Sequence, residues 1–451
     1  MGNTEGALKP ETVLTKQERI AELARTNRQM AFTSLNGFLD ADWLRYAYDQ
    51  TRKDGAVGVD GQTAEAYAEN LEANLADLLD RLKSGRYQAP PVRRVFIPKA
   101  GSATEKRPLG IPAFEDKVAQ RAVVMLLEAI YEQDFRGCSF GFRRGRSAHQ
   151  AIQHLRNRIM DRGGRWILDV DLRRYFDSID HAKLRELLAR RVVDGVVRRL
   201  IDKWLKAGVL EDGQLHRSST GTPQGGVISP LLANVYLHYV LDEWFYQDVE
   251  PRMKGRCSLV RFCDDFVMVF EDFLDSQRVY RVLGKRLDRF GLTLHPEKTC
   301  LVDFRFKRPG GMCHRRAQAT TFNFLGFTHV WGRSRNHKPV VYQHTAKDRF
   351  ARTLKHLNHY CRYHRHRPLD EQHAKLTRML RGHYAYFGIT GNGKRLQWLA
   401  HQAPRIWRKW LSRRSRAGQI DWERFQRLLE RFPLPRPRIV HQYIAGSEST
   451  M

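Results

Sequence analysis

Two stretches of this sequence place carboxylates where carboxylates are costly. In Leu259-Val260-Arg261-Phe262-Cys263-Asp264-Asp265-Phe266-Val267-Met268-Val269-Phe270, two apolar, β-rich runs flank a pair of adjacent acids. That pattern fits a hairpin with Asp264 and Asp265 at its tip. A plain turn would ordinarily carry Gly or Asn as well, and neither is present. Two like charges at the rim of apolar strands are unfavourable unless a cation joins them. In Trp166-Ile167-Leu168-Asp169-Val170-Asp171-Leu172-Arg173-Arg174-Tyr175-Phe176-Asp177, strand alternation sets Trp166, Leu168, Val170 and Leu172 on one face and Asp169 and Asp171 on the other. An acidic hairpin taken alone is often only structural. Together, Asp171, Asp264 and Asp265 would offer hard oxygen ligands suited to Mg²⁺, in the three-carboxylate, two-metal arrangement that serves phosphoryl transfer.

The charge of the whole chain points to a polyanionic partner. The 451 residues hold 78 Lys and Arg against 49 Asp and Glu, a net charge of +29 with a pI near 10.2. Such a charge repels itself unless something neutralises it, and phosphate is the first candidate. A membrane span is excluded, because the most apolar stretches, such as Val123-Val124-Met125-Leu126-Leu127, are interrupted by charge far short of the ~20 residues needed. The N-terminus has no apolar core for a signal peptide, and Gly6 stands where myristoylation requires Ser or Thr. The six cysteines (138, 257, 263, 300, 313 and 361) form no CxxC pair, so neither a disulfide framework nor a zinc site is indicated.

The elements that must position the acids can be read coarsely. A capping box at Thr15-Lys16-Gln17-Glu18 predicts a first helix starting there. A second helix is expected from about Asn70 to Gly85, with Leu71, Leu75, Leu78, Leu79 and Leu82 on one face. From about 92 to 330, β-rich runs (92–98, 166–172, 259–270, 320–330) alternate with amphipathic segments (116–135, 181–206, 231–245, 273–290), which predicts an α+β domain. After about 335 the chain reads as helical and very basic, with 25 Lys and Arg against 7 Asp and Glu in residues 335–451. There Trp398, Trp407, Trp410 and Trp422 interleave with Arg405, Arg408, Lys409, Arg413, Arg414 and Arg416. Cations for phosphates and flat rings for bases make a strand-binding surface; core packing is the competing account of the tryptophans. Pro433, Pro435 and Pro437 end any helix before the terminus.

An ordered set of motifs then narrows the reading. Asp171-Leu-Arg-Arg-Tyr-Phe176-Asp177, Gly221-Thr222-Pro223-Gln224-Gly225-Gly226-Val227-Ile228-Ser229-Pro230 and Phe262-Cys263-Asp264-Asp265 follow one another in the chain. Around them stand Val59-Asp60-Gly61, Ile97-Pro98-Lys99, Arg107-Pro108-Leu109-Gly110-Ile111-Pro112, His295-Pro296-Glu297-Lys298-Thr299 and Phe324-Leu325-Gly326-Phe327. The set resembles the reverse transcriptase motifs, and more closely those of group II intron-encoded reverse transcriptase/maturases, over about residues 40–440. The resemblance implies a right-hand polymerase: an N-terminal helical extension (1–59), fingers and palm with an antiparallel sheet (60–335), a helical thumb or maturase region (340–415) and a basic nucleic-acid-binding tail (416–451). It implies that Asp171, Asp264 and Asp265, helped by the Leu172 carbonyl, hold two Mg²⁺ ions, for which Mn²⁺ can substitute. It further implies that Phe176 closes off the sugar 2′ position and that Lys99 and Arg107 grip the triphosphate. Gln224 would line the nucleotide pocket, and Lys298 would lie near the pyrophosphate as a proton donor. Asp169, Asp177 and Asp180 match no such role, and pairing with arginines or helix capping accounts for them.

The partners implied are an RNA template or intron RNA, a DNA primer or target and deoxynucleoside triphosphates, in a bacterial cytoplasm and at the nucleoid when acting on DNA. The hairpin departs from the family pattern, with Phe262 and Cys263 where Tyr and Ala are common. Cys263 beside the metal site would make the enzyme sensitive to thiol reagents. The expectation is also that no HNH nuclease module is present, since Cys361 is the one cysteine after 313. Two other functions stay compatible with the sequence: an RNA-binding splicing cofactor, and a domesticated relative serving DNA repair or defence.

Overall fold

The computed structural model describes residues 10–98, 106–161, 163–211, 213–216, 220–222, 225–306, 320–415 and 419–443. Lys99, Gln224, Cys313 and Arg416 lie outside the described residues. The strands are β1 (Val92–Pro98), β2 (Lys106–Ile111), β3 (Trp166–Val170), β4 (Val209–Glu211), β5 (Gln214–His216), β6 (Cys257–Phe262), β7 (Asp265–Phe270), β8 (Cys300–Asp303), β9 (Phe322–Phe324), β10 (Phe327–Arg333) and β11 (Pro339–Thr345). They form three sheets, in the orders β2-β1-β4-β5, β6-β7-β3-β8 and β11-β10-β9. The mixture of helices and antiparallel pairs agrees with the α+β expectation.

The chain divides into two compact units, Met1–Ser147 with Val170–Met268 and Leu274–Cys300, and Ala148–Asp169 with Val269–Phe273 and Leu301–Met451. Each unit is thus built from separate stretches of the chain. In the second unit the helix Ala148–Asp161 lies against the β11 region, where the Arg156 guanidinium donates to the Val341 carbonyl at 3.1 Å. Ile152, Phe327 and Ile389 close a small core there.

The first unit is organised by the helix Phe114–Asp134. Val118, Ala119, Ala122, Val123, Leu126, Leu127 and Ile130 are all fully buried, so it is apolar nearly all round, as an internal helix must be. The helix Pro10–Thr26 starts five residues before the predicted capping box, so Thr15 lies inside it and not at its start. The helix Leu71–Ser84 ends as expected at Gly85, whose φ of 79° is a left-handed C-cap. The predicted segment 181–206 is two helices, His181–Ala189 and Gly195–Lys206. Between them Val193 and Asp194 donate backbone bonds to the Phe32 carbonyl, and the Asp194 carboxylate caps the second helix. Asp180 caps the first of these two, as its position suggested.

One carboxylate in this core is entirely buried. Asp116 accepts from the Tyr87 hydroxyl, from the Trp204 indole at 2.7 Å and from the Gln120 amide at 2.8 Å. Burial outweighs those bonds and pushes its carboxyl up to about 6. A carboxyl raised above its unfolded value binds more protons in the native state, so its contribution is present below about pH 4 and is lost as pH rises through about 6. Replacing Asp116 by Asn should remove that loss. Between pH 4 and 7 the parent should fall relative to D116N by roughly 2–3 kcal/mol in unfolding free energy, measured by urea titration at each pH.

In the second unit the sheet β11-β10-β9 precedes the C-terminal helices, so the first element after 335 is a strand and not a helix. The helices Lys347–Tyr363, Leu369–Phe387, Gly393–Leu411 and Trp422–Arg431 follow. Phe350, Leu357, Leu376, Leu380, Leu399, Trp407 and Phe425 share one buried core. The last helix supplies Phe425 to that core, which puts part of the expected tail into the helical bundle. The helix ends at Arg431, just before the prolines.

Candidate active site

Strand β3 is buried on both faces and ends at Val170, one residue before Asp171. Beyond it the backbone of residues 171–173 is held by the segment 293–295. His295 donates to the Asp171 carbonyl at 2.8 Å, Arg173 donates to the Thr293 carbonyl at 2.9 Å, and Leu172 bridges Leu294. The buried Thr299 hydroxyl adds a longer bond to the Asp171 carbonyl at 3.4 Å. The same turn delivers Lys298, whose ammonium donates to Asp171 Oδ2 at 2.9 Å.

β6 and β7 form the expected hairpin, with Cys263 and Asp264 between them and Asp265 opening β7. Their interiors are buried, so the acids stand at the tip of apolar strands. Cys263 adopts φ 60°, a left-handed conformation unusual for a residue with a side chain. The Asp264 carboxyl lies above its ordinary range. Burial is the main cause, opposed by hydrogen bonds from its own backbone and from Cys263; repulsion by Asp171 raises it further, and attraction by Arg107 lowers it. Asp171 and Arg107, predicted from two other motifs, are thus both within electrostatic reach of Asp264. Lys298 joins them through Asp171.

The Cys263 thiol is nearly fully buried and is pushed well above its usual range, first by burial and then by the Asp264 carboxylate. A thiol held protonated and inaccessible is unreactive. The expected sensitivity of Cys263 to thiol reagents is therefore corrected.

Phe176 lies in the short helix Tyr175–Ser178, half-buried, with its carbonyl accepting from Thr222 at 2.8 Å. Gly221 donates to the Ile179 carbonyl at 2.8 Å, with φ 90°, and a Cβ there would meet the Asp177 backbone at 3.1 Å. Only glycine allows this approach, and it ties the Gly221-Thr222 segment to the turn carrying Phe176. Arg107 is exposed on β2, paired with Ile97 of β1.

Among the described residues, no three His, Cys, Asp or Glu side chains are drawn tightly enough to hold an ion between them. The donor chemistry nevertheless fits a divalent cation. Asp171 raises the proton affinity of Asp264, and the Lys298 ammonium sits on Asp171 where a cation would.

The sequence motifs left one part of this site unnoticed. Arg261 and Asp242 form a fully buried ion pair directly behind the hairpin, with Asn234 and Gly141 attached to it. The signal was present: a charged Arg inside the apolar run Leu259-Val260-Arg261-Phe262 requires a buried partner.

Comparison with known proteins settles the family. The model of the reverse transcriptase (RNA-dependent DNA polymerase) family matches residues 97–329, just over half of the chain. The chain belongs to the reverse transcriptases. It is 36% identical over 287 residues to protein YkfC of Escherichia coli, covering 56% of this chain and 74% of that one. It is 40% identical over 234 residues to the group II intron-encoded protein LtrA of Lactococcus lactis subsp. cremoris, covering 51% of this chain and 38% of that one. The putative COX1/OXI3 intron 1 protein of Saccharomyces cerevisiae is 32% identical over 311 residues, covering 58% of this chain and 37% of that one. The reverse transcriptase chain thus spans less than two fifths of the two intron proteins it matches.

The predicted basic surface of this reverse transcriptase divides in two. Arg405 and Lys409 are exposed on the helix Gly393–Leu411, and Arg413 is exposed just beyond it. Arg408, by contrast, stacks over Trp422 at 3.9 Å and donates to the Ile420 carbonyl at 3.1 Å. Arg414 donates to the carbonyls of Arg365 and Arg367. Those two arginines are engaged inside the bundle. Trp407 is core, while Trp398 and Trp422 are about half exposed. Among the described residues, no helix is long and apolar enough to cross a membrane.

Proposed function

We propose that this chain is an RNA-directed DNA polymerase of the group II intron type, extending a primer 3′ end with deoxynucleoside triphosphates and assisting the splicing and mobility of its intron RNA. The reading follows from family membership and from the likeness to LtrA and the yeast intron protein, whose names state an intron origin. The observation that carries it is the convergence of Asp171, Asp264, Arg107 and Lys298 from four separate segments.

In the right-hand arrangement we assign, residues 60–335 supply fingers and palm, and the helices from Lys347 to Arg431 supply the thumb or maturase region. Two Mg²⁺ ions, replaceable by Mn²⁺, would activate the primer hydroxyl and stabilise the departing pyrophosphate. Asp171, Asp264 and Asp265, with the Leu172 carbonyl, would hold them. Lys99 and Arg107 would orient the triphosphate, Arg107 by its bidentate fork. Gln224 would line the nucleotide pocket. Lys298, hydrogen-bonded to Asp171, would protonate the leaving group once that carboxylate is taken up. The exposed Arg405, Lys409 and Arg413 would follow the phosphate backbone.

Primer extension on an RNA template with Mg²⁺ tests this directly. Incorporation of deoxynucleotides dependent on both template and divalent ion is expected; no extension under any divalent ion would reject the proposal. Phe176, half-buried beside the Thr222 backbone, is assigned to exclude the 2′-hydroxyl. Replacing Phe176 by Val should relax discrimination against ribonucleotides by about 10–100-fold, read as the ratio of kcat/KM values for the two sugars. An unchanged ratio would remove Phe176 from that role.

A further inference from the structure

Arg261 lies in the third-from-last position before the catalytic acids and is fully buried. Its Nε donates to Asp242 Oδ1 at 2.8 Å, and one terminal nitrogen donates to Asp242 Oδ2 at 2.6 Å. The other terminal nitrogen donates to Asn234 Oδ1 at 2.9 Å and to the Cys263 carbonyl at 3.0 Å. Asn234 is itself fully buried and passes the connection on, donating to the Gly141 carbonyl at 2.7 Å. Gly141 in turn lies against the hairpin so closely that a Cβ there would stand 2.4 Å from the Cys263 nitrogen. The backbone of Arg261 is also taken, donating to Cys138 at 2.8 Å and accepting from Phe140 at 2.9 Å. Asp242 ends a π-helical turn, His238–Asp242, that directly follows the helix Ser229–Leu237; such turns recur at functional sites.

The Arg261 fork and Gly141 both close on Cys263, whose left-handed backbone costs about 1 kcal/mol or more unless the surroundings impose it. Cys263 immediately precedes Asp264. A buried ion pair is a poor device for stability alone, since well-packed apolar residues of similar volume do as well or better. What the fork of Arg261 supplies, and an apolar side chain cannot, is a charged donor aimed at the carbonyl of the turn.

We infer that Arg261, clamped by Asp242 and Asn234, is a positioning residue that fixes the Cys263 carbonyl and thereby the direction in which Asp264 presents its carboxylate to a divalent cation. The inference rests on the polymerase reading above. Arg261 touches no reacting atom; it acts through the turn.

The test uses the full chain and two variants. The double variant Arg261→Met/Asp242→Leu removes both charges together, which leaves no orphaned buried ion. Arg261→Lys keeps a cation facing Asp242 but loses the fork that reaches Cys263. Each is compared with the parent by free Mn²⁺ in electron paramagnetic resonance, with the metal alone, by primer-extension kinetics across Mg²⁺ concentration, and by thermal unfolding. Both variants should bind Mn²⁺ about 10-fold more weakly and lose about 10–100-fold in kcat. The loss should be partly recovered at high Mg²⁺, with the KM for deoxynucleotides little moved. If the double variant does not fold, Arg261→Lys decides. Parental Mn²⁺ affinity and kcat in a folded variant would overturn the inference and leave a structural ion pair. A parent that itself neither binds Mn²⁺ nor extends primers would instead defeat the polymerase reading.

Discussion

Asp264→Asn should abolish RNA-templated DNA synthesis, lowering kcat by at least about 10³-fold, or roughly 4 kcal/mol of transition-state stabilisation. The same change should leave the fold intact and raise its melting temperature. The two effects have opposite signs for one physical reason. Asp264 is mostly buried and is repelled by Asp171, so its ionised form is disfavoured in the folded chain. A neutral amide of the same shape relieves that burden in the absence of a cation. With Mg²⁺ present, the parent should gain thermal stability and the variant should not, because ligand binding to the native state alone stabilises it. A melting curve with and without Mg²⁺, run beside primer extension, reads all of this. If Asp264→Asn keeps most of its activity, or melts earlier without metal, Asp264 is not the strained metal ligand assigned here. Retained RNA affinity in the inactive variant would further separate any splicing assistance from synthesis.

The acids were legible because their environment in the chain is local. Asp264 and Asp265 interrupt a continuous apolar run, and Asp171 ends another, so strand pattern alone brings each to a strand end. The convergence of strands about ninety positions apart was not local, and it came from the order of the motifs. Arg107 and Lys298 are similar: neither spacing nor composition distinguishes them from the many other cations, and only the motifs did. What stayed hidden is the material behind the site. The partner of Arg261 is nineteen positions upstream on a π-helical turn, and no periodicity announces such a turn. The discontinuous make-up of the two units has the same origin. The helix Ala148–Asp161 belongs with residues 185 positions later because the Arg156 guanidinium finds the Val341 carbonyl, which is tertiary information. The break between Ala189 and Gly195 was readable in principle, since Asp194 is a good helix cap; the amphipathic pattern on both sides concealed it.

Tryptophans in the C-terminal unit were assigned as a group from the sequence, and two substitutions should show that they act in opposite ways. Trp407 is fully buried, and its indole donates to Gln372 Oε1 at 3.0 Å. Gln372 is also buried and donates to the carbonyls of Arg365 and Arg367, while Phe425 meets the indole edge-to-face at 6.0 Å. Trp407→Ala removes the largest side chain of that core and orphans the amide oxygen. The expected cost is about 3–5 kcal/mol, enough to unfold much of the helical unit near physiological temperature. Trp398 is half exposed, its ring resting near Phe350 at 5.7 Å. Trp398→Ala should change stability by no more than about 0.5 kcal/mol. If the ring stacks on a base, as proposed for this basic face, the same change should weaken RNA binding by about 1–3 kcal/mol, or roughly 5–150-fold. Binding should also weaken steeply with salt, by about 0.9 log units per log of salt for each duplex phosphate contacted, and Trp398→Ala should leave that slope alone, since it removes no charge. Denaturant titration and fluorescence anisotropy with labelled RNA separate the two residues. Equal effects of both substitutions on stability, or no effect of Trp398→Ala on RNA affinity, would withdraw the exposed tryptophan from the nucleic-acid surface and leave the phosphate contacts to Arg405, Lys409 and Arg413.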